Sequence, residues 1–180
     1  MANADIVMAG FGGQRLMAIG KILAKAAMED GRQVTWMPSY GPEMRGGTAN
    51  CVVIVDDEPI GSPVVKRPHS ALVMNKQSID KFEPTVQPGG LLVVNTSLID
   101  RQAARGDLKV IYVAANALAE KEGGNKSANM VMLGAYIQAT GIVPAAAVEH
   151  AIEVTFAGKR GDVAAINVRA FRRGMEAARG

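Results

Sequence analysis

One cysteine, Cys51, is all the thiol this chain has. It cannot form an internal disulfide, and one thiolate cannot hold an iron–sulfur cluster. Its place inside the apolar run from Cys51 to Val55 predicts a buried, inert thiol. Histidine is almost as scarce. His69 and His150 lie far apart, with no cysteine or acidic spacing that points to a metal, so surface or capping roles are expected. No Ser-His-Asp order, nucleophile elbow or Walker loop is present, and no residue is nominated as catalytic or metal-binding. Aromatics make up only 4% of the chain, which weighs against an all-β sandwich. No apolar run is long enough to span a membrane. The opening Met1-Ala2-Asn3-Ala4-Asp5 lacks the basic region and apolar core of a signal peptide, so a cytoplasmic location is expected. Net charge is only +3 with a pI near 9.1. A solvated basic face accounts for that, and no nucleic acid partner is called for.

What the chain does have is small and apolar residues. Of 180 residues, 48% are apolar, and glycine, alanine, valine and methionine are plentiful. That suits one domain over residues 1–180 with close helix-to-sheet packing. The expected fold is α/β: a Rossmann-like, three-layer α/β/α domain with a mostly parallel sheet and a helical C-terminal part. Asp5 to Ala9 reads as a buried strand, Gln14 to Glu29 as a helix closed by Gly31, and Gln33 to Met37 as a second strand. Together they form a βαβ unit. Ala71 to Asn75, Gln77 to Phe82 and Leu91 to Asn95 form another, and Val110 to Val113 is the last strand. Helical spacing then takes over. Helices are expected from Asn116 to Lys121, from Asn129 to Thr140, from an N1-like Pro144 onward, and from an Asp162 cap to about Ala178. Val148, Ile152 and Phe156 form one apolar stripe. Arg169, Arg172, Arg173 and Arg179 are read as a solvated face, with a partner or anion as the alternative.

Two stretches ask for more than packing. The first is Gly10-Phe11-Gly12-Gly13-Gln14-Arg15 at a strand-to-helix junction. Glycines let backbone N–H groups point outward there, and a helix N-terminus favours an anion. The dinucleotide fingerprint is matched only in part, because Arg15 stands where its third glycine or alanine belongs. The next strand also lacks the acidic residue that grips an NAD ribose. A phosphate site of another kind and a purely structural turn both stay open.

The second is Ser39-Tyr40-Gly41-Pro42-Glu43-Met44-Arg45-Gly46-Gly47-Thr48-Ala49-Asn50, between two apolar runs. A plain connection needs only a few residues. Gly41-Pro42 forces a bend, and Gly46-Gly47 permits close backbone approach. Glu43 and Arg45 bring charges that need partners. The stretch is expected to face a partner or a substrate channel. A solvated turn with a local ion pair is the alternative.

These stretches carry a resemblance. Gly10 to Gln14, Pro38 to Asn50 and Pro59-Ile60-Gly61-Ser62-Pro63 resemble the gamma subunit of 2-oxoacid:ferredoxin oxidoreductases. Pro88-Gly89-Gly90, Asn129 to Gly134 and Ile166-Asn167 continue it, in order, over nearly the whole chain. Tyr40 and Asn50-Cys51 are more similar to the 2-oxoglutarate and 2-oxoisovalerate (ketoisovalerate) branch than to the pyruvate branch. One departure is Arg15, where the family usually has glycine.

The resemblance implies a role inside a complex. Such enzymes oxidatively decarboxylate a 2-oxo acid with coenzyme A, giving acyl-CoA, carbon dioxide and reduced ferredoxin. Thiamine diphosphate with magnesium would lie between alpha and beta subunits. Iron–sulfur clusters would lie in beta or in a small ferredoxin-like delta subunit. The gamma domain would help handle coenzyme A, a phosphate of which is assigned to Gly10, Gly12, Gly13, Gln14 and Arg15. Ser39 to Gly47 and Asn50 would face partners or the channel. This chain alone would be inactive, and a homodimer is admitted for it in isolation. A free-standing Rossmann-type nucleotide-binding oxidoreductase and a ligand-free scaffold subunit are the other readings.

Overall fold

A computed structural model describes residues 3–39 and 48–180. Six strands form one sheet in the order β2-β3-β1-β4-β5-β6. They are β1 (Ala4–Phe11), β2 (Gln33–Ser39), β3 (Thr48–Asp56), β4 (Ser70–Val73), β5 (Leu91–Asn95) and β6 (Lys109–Val113). β1, β4, β5 and β6 pair in parallel. β3 runs antiparallel to both of its neighbours, β1 and β2. β2 therefore points the same way as β1, and the sheet is parallel but for one strand.

The first βαβ unit is thus wider than its sequence pattern implies. α1 (Leu16–Glu29) links β1 to a parallel β2, but β3 lies between the two strands. Cross-strand pairing supplies the reason. From Ala4↔Val55 to Phe11↔Thr48, β3 matches β1 along its whole length, and no local signal in either segment encodes that match. The second unit, β4-α2-β5 with α2 at Lys76–Phe82, joins adjacent strands as expected. β4 ends at Val73 rather than Asn75 because Asn75 turns to cap α2, its Oδ1 accepting from Ser78 N at 2.9 Å.

The two faces of the sheet are covered unequally. Ile6, Met8, Cys51, Val53, Leu72 and Val93 meet a thick layer of helices. That layer holds α1, α3 (Ala115–Lys121), α4 (Ala128–Thr140), α5 (Ala145–Phe156) and α6 (Val163–Ala177). Val7, Ala71, Val73, Leu92 and Val94 meet Ile79 of α2 and the segments around Val86 and Ile99. Within the thick layer α4 is buried from Ala128 to Ile137 without interruption, which explains why it shows no polar stripe. It crosses α6 at a backbone-to-backbone contact. A Cβ on Gly134 would collide with the Phe171 carbonyl, and one on Gly174 with that of Val131. Among the described residues, no helix is long and apolar enough to cross a membrane.

Three helix starts differ from the sequence reading. Gly12–Gln14 forms a separate 3₁₀ turn, and α1 begins at Leu16, because Arg15 between them is left-handed at φ +59° and ψ +39°. Pro144 stands at the N-cap of α5 instead of N1. Its ψ of 136° is extended, so the helical backbone begins only at Ala145. Asp162 occupies the N-cap of α6, but its side chain caps nothing.

Candidate functional site

Five strands share a direction, so β1, β2, β4, β5 and β6 all end on one edge of the sheet. Ligands of open α/β sheets bind outside this C-terminal edge, where helices leave to opposite faces. Here α1 follows β1 to the thick layer and α2 follows β4 to the other face. The glycine turn therefore stands at the switch point. Phe11, just before it, pairs with Thr48 at the start of β3, and Ser39 pairs with Asn50. The two stretches singled out in the sequence thus reach the same edge. Tyr40, Gly41, Pro42, Glu43, Met44, Arg45, Gly46 and Gly47 lie outside the described residues. Asn50 lies on β3 with its side chain on the face opposite the thick layer. There it lines a shallow hollow of about 260 Å³ with Val7, Val52 and Phe82.

Within the turn the glycines have different jobs. Gly10 is buried, and a Cβ there would strike Gln14 Oε1, Leu16 Cδ2 and Met74 Cβ. Its small size is a packing requirement. Gly13 is exposed and has nothing within 4 Å of an added Cβ, so its backbone faces open space. Gln14 turns back to accept from Phe11 N at 2.6 Å, which locks the turn.

Among the described residues, Arg15 alone is a non-glycine with positive φ. An L-residue pays roughly 1–2 kcal/mol for that conformation. It is held there through its carbonyl, which accepts from Ala18 N at 3.1 Å and from Asn129 Nδ2 at 3.2 Å. The side chain is exposed, which removes the packing objection to an arginine in this turn.

Neighbouring strand ends are tied together by Asn95, which is fully buried. Its Nδ2 donates to Met74 O at 3.2 Å and to Asn116 Oδ1 at 2.9 Å. Its Oδ1 accepts from Ser97 N and Ala115 N, both at 3.2 Å. One side chain thereby fixes the ends of β4 and β5 and the start of α3, giving the edge a rigid base.

Two recesses open on this edge. A polar one of about 290 Å³ is lined by Gly13, Gln14, Asn116, Glu120 and Asn129. A larger one of about 500 Å³ lies beyond Arg15, against Lys126, Phe156, Lys159, Val163 and Ile166. Asn125 and Lys126 line both. The sequence reading did not single out Lys126 or Lys159, and it assigned Phe156 to a core stripe. Phe156 does pack against the core, and it also walls the larger recess. The one local signal was the Gly123-Gly124-Asn125-Lys126-Ser127 turn. It lines the recess together with Arg15, more than a hundred residues away, which no local pattern reveals.

Cys51 is buried as expected, and burial pushes its thiol up to about 12. A Cβ on Gly20 would approach its Sγ to 2.6 Å, so helix α1 and β3 are in close contact at this point. His69 is tied to Asp5, with Nδ1 at 3.1 Å from Oδ2. Among the described residues, no three His, Cys, Asp or Glu side chains group to hold a metal. With one cysteine in the chain, the donor set does not fit an iron–sulfur cluster.

The pattern of the pyruvate ferredoxin/flavodoxin oxidoreductase family matches residues 5–177. The ketoisovalerate oxidoreductase subunit VorA of Methanothermobacter thermautotrophicus is 37% identical over 97% of this chain. This chain spans only 36% of that relative's length. The 2-oxoglutarate synthase subunit KorC of Methanothermobacter marburgensis is 36% identical, covering 83% of this chain and 84% of the relative. The crystal structure of a keto/oxoacid ferredoxin oxidoreductase gamma subunit from Geobacter sulfurreducens superposes with a TM-score of 0.84 at 31% identity, covering 97% of this chain and 98% of that one. A mixed sheet sheltered by the same helical layer, matched over almost its full length, places the chain: it belongs to the pyruvate ferredoxin/flavodoxin oxidoreductase family.

Proposed function

We propose that residues 1–180 act as one gamma-type domain in a cytoplasmic 2-oxoacid:ferredoxin oxidoreductase. The complex would convert a 2-oxo acid, coenzyme A and oxidised ferredoxin to acyl-CoA, carbon dioxide and reduced ferredoxin. The relatives' names divide among ketoisovalerate, 2-oxoglutarate and pyruvate. The sequence resemblance favours 2-oxoglutarate as the first acid to test. This chain's part is to place coenzyme A. Gly12, Gly13 and Gln14 offer backbone donors at the switch point, Gly10 lets the turn close, and Arg15 adds a cation. Residues 39–47 and Asn50 would meet alpha and beta chains or the shared channel.

The observation that carries this reading is the convergence at one sheet edge. Phe11↔Thr48 and Ser39↔Asn50 bring the glycine turn and the described ends of the second stretch to one edge. Thiamine diphosphate with magnesium and the iron–sulfur clusters supply decarboxylation and electron transfer when bound, and we assign them to companion alpha, beta and delta-type chains. The single cysteine of this chain does not fit an iron–sulfur cluster. A three-residue 3₁₀ turn, broken from α1 at Arg15, gains little from a helix macrodipole. The turn alone would therefore bind weakly, and useful affinity would need the assembled complex.

Reconstitution tests the reading. Viologen reduction is followed with 2-oxoglutarate, 2-oxoisovalerate or pyruvate, plus coenzyme A and thiamine diphosphate. The expected result is no turnover from this chain, none from the companion chains without it, and turnover from the full set. Robust turnover by this chain alone, or full activity of the companions without it, overturns the proposal.

A further inference from the structure

The two edges of the sheet are finished differently. β6 closes one of them. It starts with a charge, Lys109, and the segment before it folds back against the strand, Ala103 N donating to Tyr112 Oη at 2.9 Å. β2 forms the other edge, and among the described residues no strand lies on its outer side. Natural edge strands are blunted by short length, by lysine or an inward-pointing charge, by proline or by a bulge. β2 is seven residues long and carries no charged residue. Its one blunting residue, Pro38, stands next to its end. Residues 33–37 keep every backbone N–H, and Val34, Thr35 and Trp36 are of the β-branched and aromatic types that favour pairing. An uncharged edge of this kind is a template for a further strand.

The helix over this edge continues the surface. α1 and β2 bound a groove of about 380 Å³, lined by Lys21, Ala24, Lys25, Met28, Glu29 and Trp36. Met28 on the helix is 66% exposed, and Met37 on the strand is 42% exposed. Trp36 packs toward the helical layer, and Met37, one residue on, points to the opposite face. The open strand therefore has apolar surface on both of its sides. The outer stripe of α1 changes sign along its length, from Lys21 and Lys25 to Glu29. Lys21 and Glu29 are about 12 Å apart along the helix. A two-fold axis beside Thr35, the middle of the intact stretch, and beside Lys25 reverses both strand and helix in a second copy. It sets Lys21 of each copy against Glu29 of the other. Lys25, nearest the axis, has Glu29 one turn away in its own copy. The surface thus complements itself in charge, as a two-fold contact requires.

We infer that β2 and α1 form the docking surface for a second copy of this chain. Two β2 strands pair antiparallel across the two-fold axis, and the two α1 helices close over the join. The two six-stranded sheets become continuous, and Met28 and Trp36 of both copies are covered. The inference does not rest on the coenzyme reading, which uses the end of the strands and not the side of β2.

The test is the solution mass of the full 180-residue chain, followed by sedimentation equilibrium as protein concentration is raised. A dimer is expected, with amide exchange in residues 33–37 slowing as the dimer fills. Thr35→Lys places like charges across the axis and should weaken association by about tenfold or more. Glu29→Lys opposes like charges at both ends of the helix pair and should weaken it by about threefold or more. Lys21→Glu/Glu29→Lys exchanges the signs and should recover the loss, which a merely structural role for Glu29 does not predict. Unchanged circular dichroism establishes that each variant is folded. A chain still monomeric at about 100 μM, a dimer indifferent to Thr35→Lys, or an exchange of signs that recovers nothing overturns the inference. Protection of residues 33–37 only on addition of companion chains overturns it too, because the edge then belongs to them. The two proposals fail separately. A monomer that is required for turnover removes this interface and leaves the gamma-type role. A dimer that is dispensable for turnover leaves the interface and removes the role.

Discussion

Cations on helix α6 and cations in the loops beside its start are treated in opposite ways. On its outer face every arginine has a partner. Arg169 and Arg173 share Glu122 at 3.3 and 2.5 Å, and Arg173 also reaches Glu176 at 3.0 Å. Arg172 grips both oxygens of Glu149 at 2.7 and 2.8 Å, and Arg179 reaches Gln138 at 3.1 Å. These contacts tie α6 to α3, α4 and α5. The hydrogen bond from Arg173 holds the Glu122 carboxyl below its ordinary range, and that from Arg172 does the same for Glu149. At the head of the helix the cations of the recess are left without carboxylates. Arginine-rich stretches of sequence look alike in both settings. The partners tell them apart: a paired cation fastens elements together, and unpaired cations around a cavity are available to a ligand. The arginine cluster is thus a self-satisfied structural face, as its solvated-face reading expected.

The largest expected effect lies at the seam beneath the paired face. Gly174→Val would drive a side chain into the Val131 backbone, costing about 3 kcal/mol or more, as overpacking against backbone allows. Denaturant unfolding measures it. A loss below about 1 kcal/mol would mean that α4 and α6 separate easily and that the seam is not rigid. Next comes Arg15→Gly, which should relieve left-handed strain and raise stability by up to about 1 kcal/mol. The same change should weaken coenzyme binding and raise the coenzyme A KM of the complex. A stability gain with a lower KM would show that Arg15 obstructs the turn instead of serving it.

Smaller still is Glu149→Gln, which removes the partner of Arg172. Exposed pairs contribute about 0.2–1 kcal/mol. A lowered folded pKa adds stability above the unfolded glutamate's value, about 4.3, and loses it as pH falls through the folded value. Wild type and variant should therefore differ at neutral pH and converge in acid. A gap that persists to pH 2 would assign the effect to packing. Smallest in stability is Arg45→Ala, expected to shift unfolding by less than about 0.5 kcal/mol while weakening assembly or turnover of the complex. An unfolded variant, or a fully active complex, would remove residues 39–47 from the partner surface.

Much of this was legible in the sequence. Buried runs such as Leu91 to Asn95 read directly as strands, and the Gly31 and Gly141 stops closed α1 and α4 where expected. Gly134, named only as the end of the Asn129 to Gly134 resemblance, proved to be half of a helix crossing whose other half, Gly174, is forty residues away. The insertion of β3 between β1 and β2 was not legible. Val52 and Ile54 are apolar on the face where a half-buried strand would show polar residues, so alternation gave no warning of an antiparallel insert. The recess was not legible either. It is assembled from the turn after β1, the α3–α4 connection and the α5–α6 junction, and each looks like an ordinary loop by itself. Arg15 was visible as an oddity, but its left-handed backbone, and hence the break between the glycine turn and α1, is a property of the fold alone.

The most direct test of the coenzyme-placing role is amide hydrogen exchange on the assembled complex, with and without coenzyme A. Added coenzyme should protect Gly12, Gly13, Gln14 and Arg15 and slow exchange from Gly123 to Ser127, while Arg169 to Arg173 on the paired face stays unchanged. Unchanged exchange at Gly12 to Arg15, in a complex whose turnover depends on coenzyme A, would contradict that role and leave the turn as a packing device.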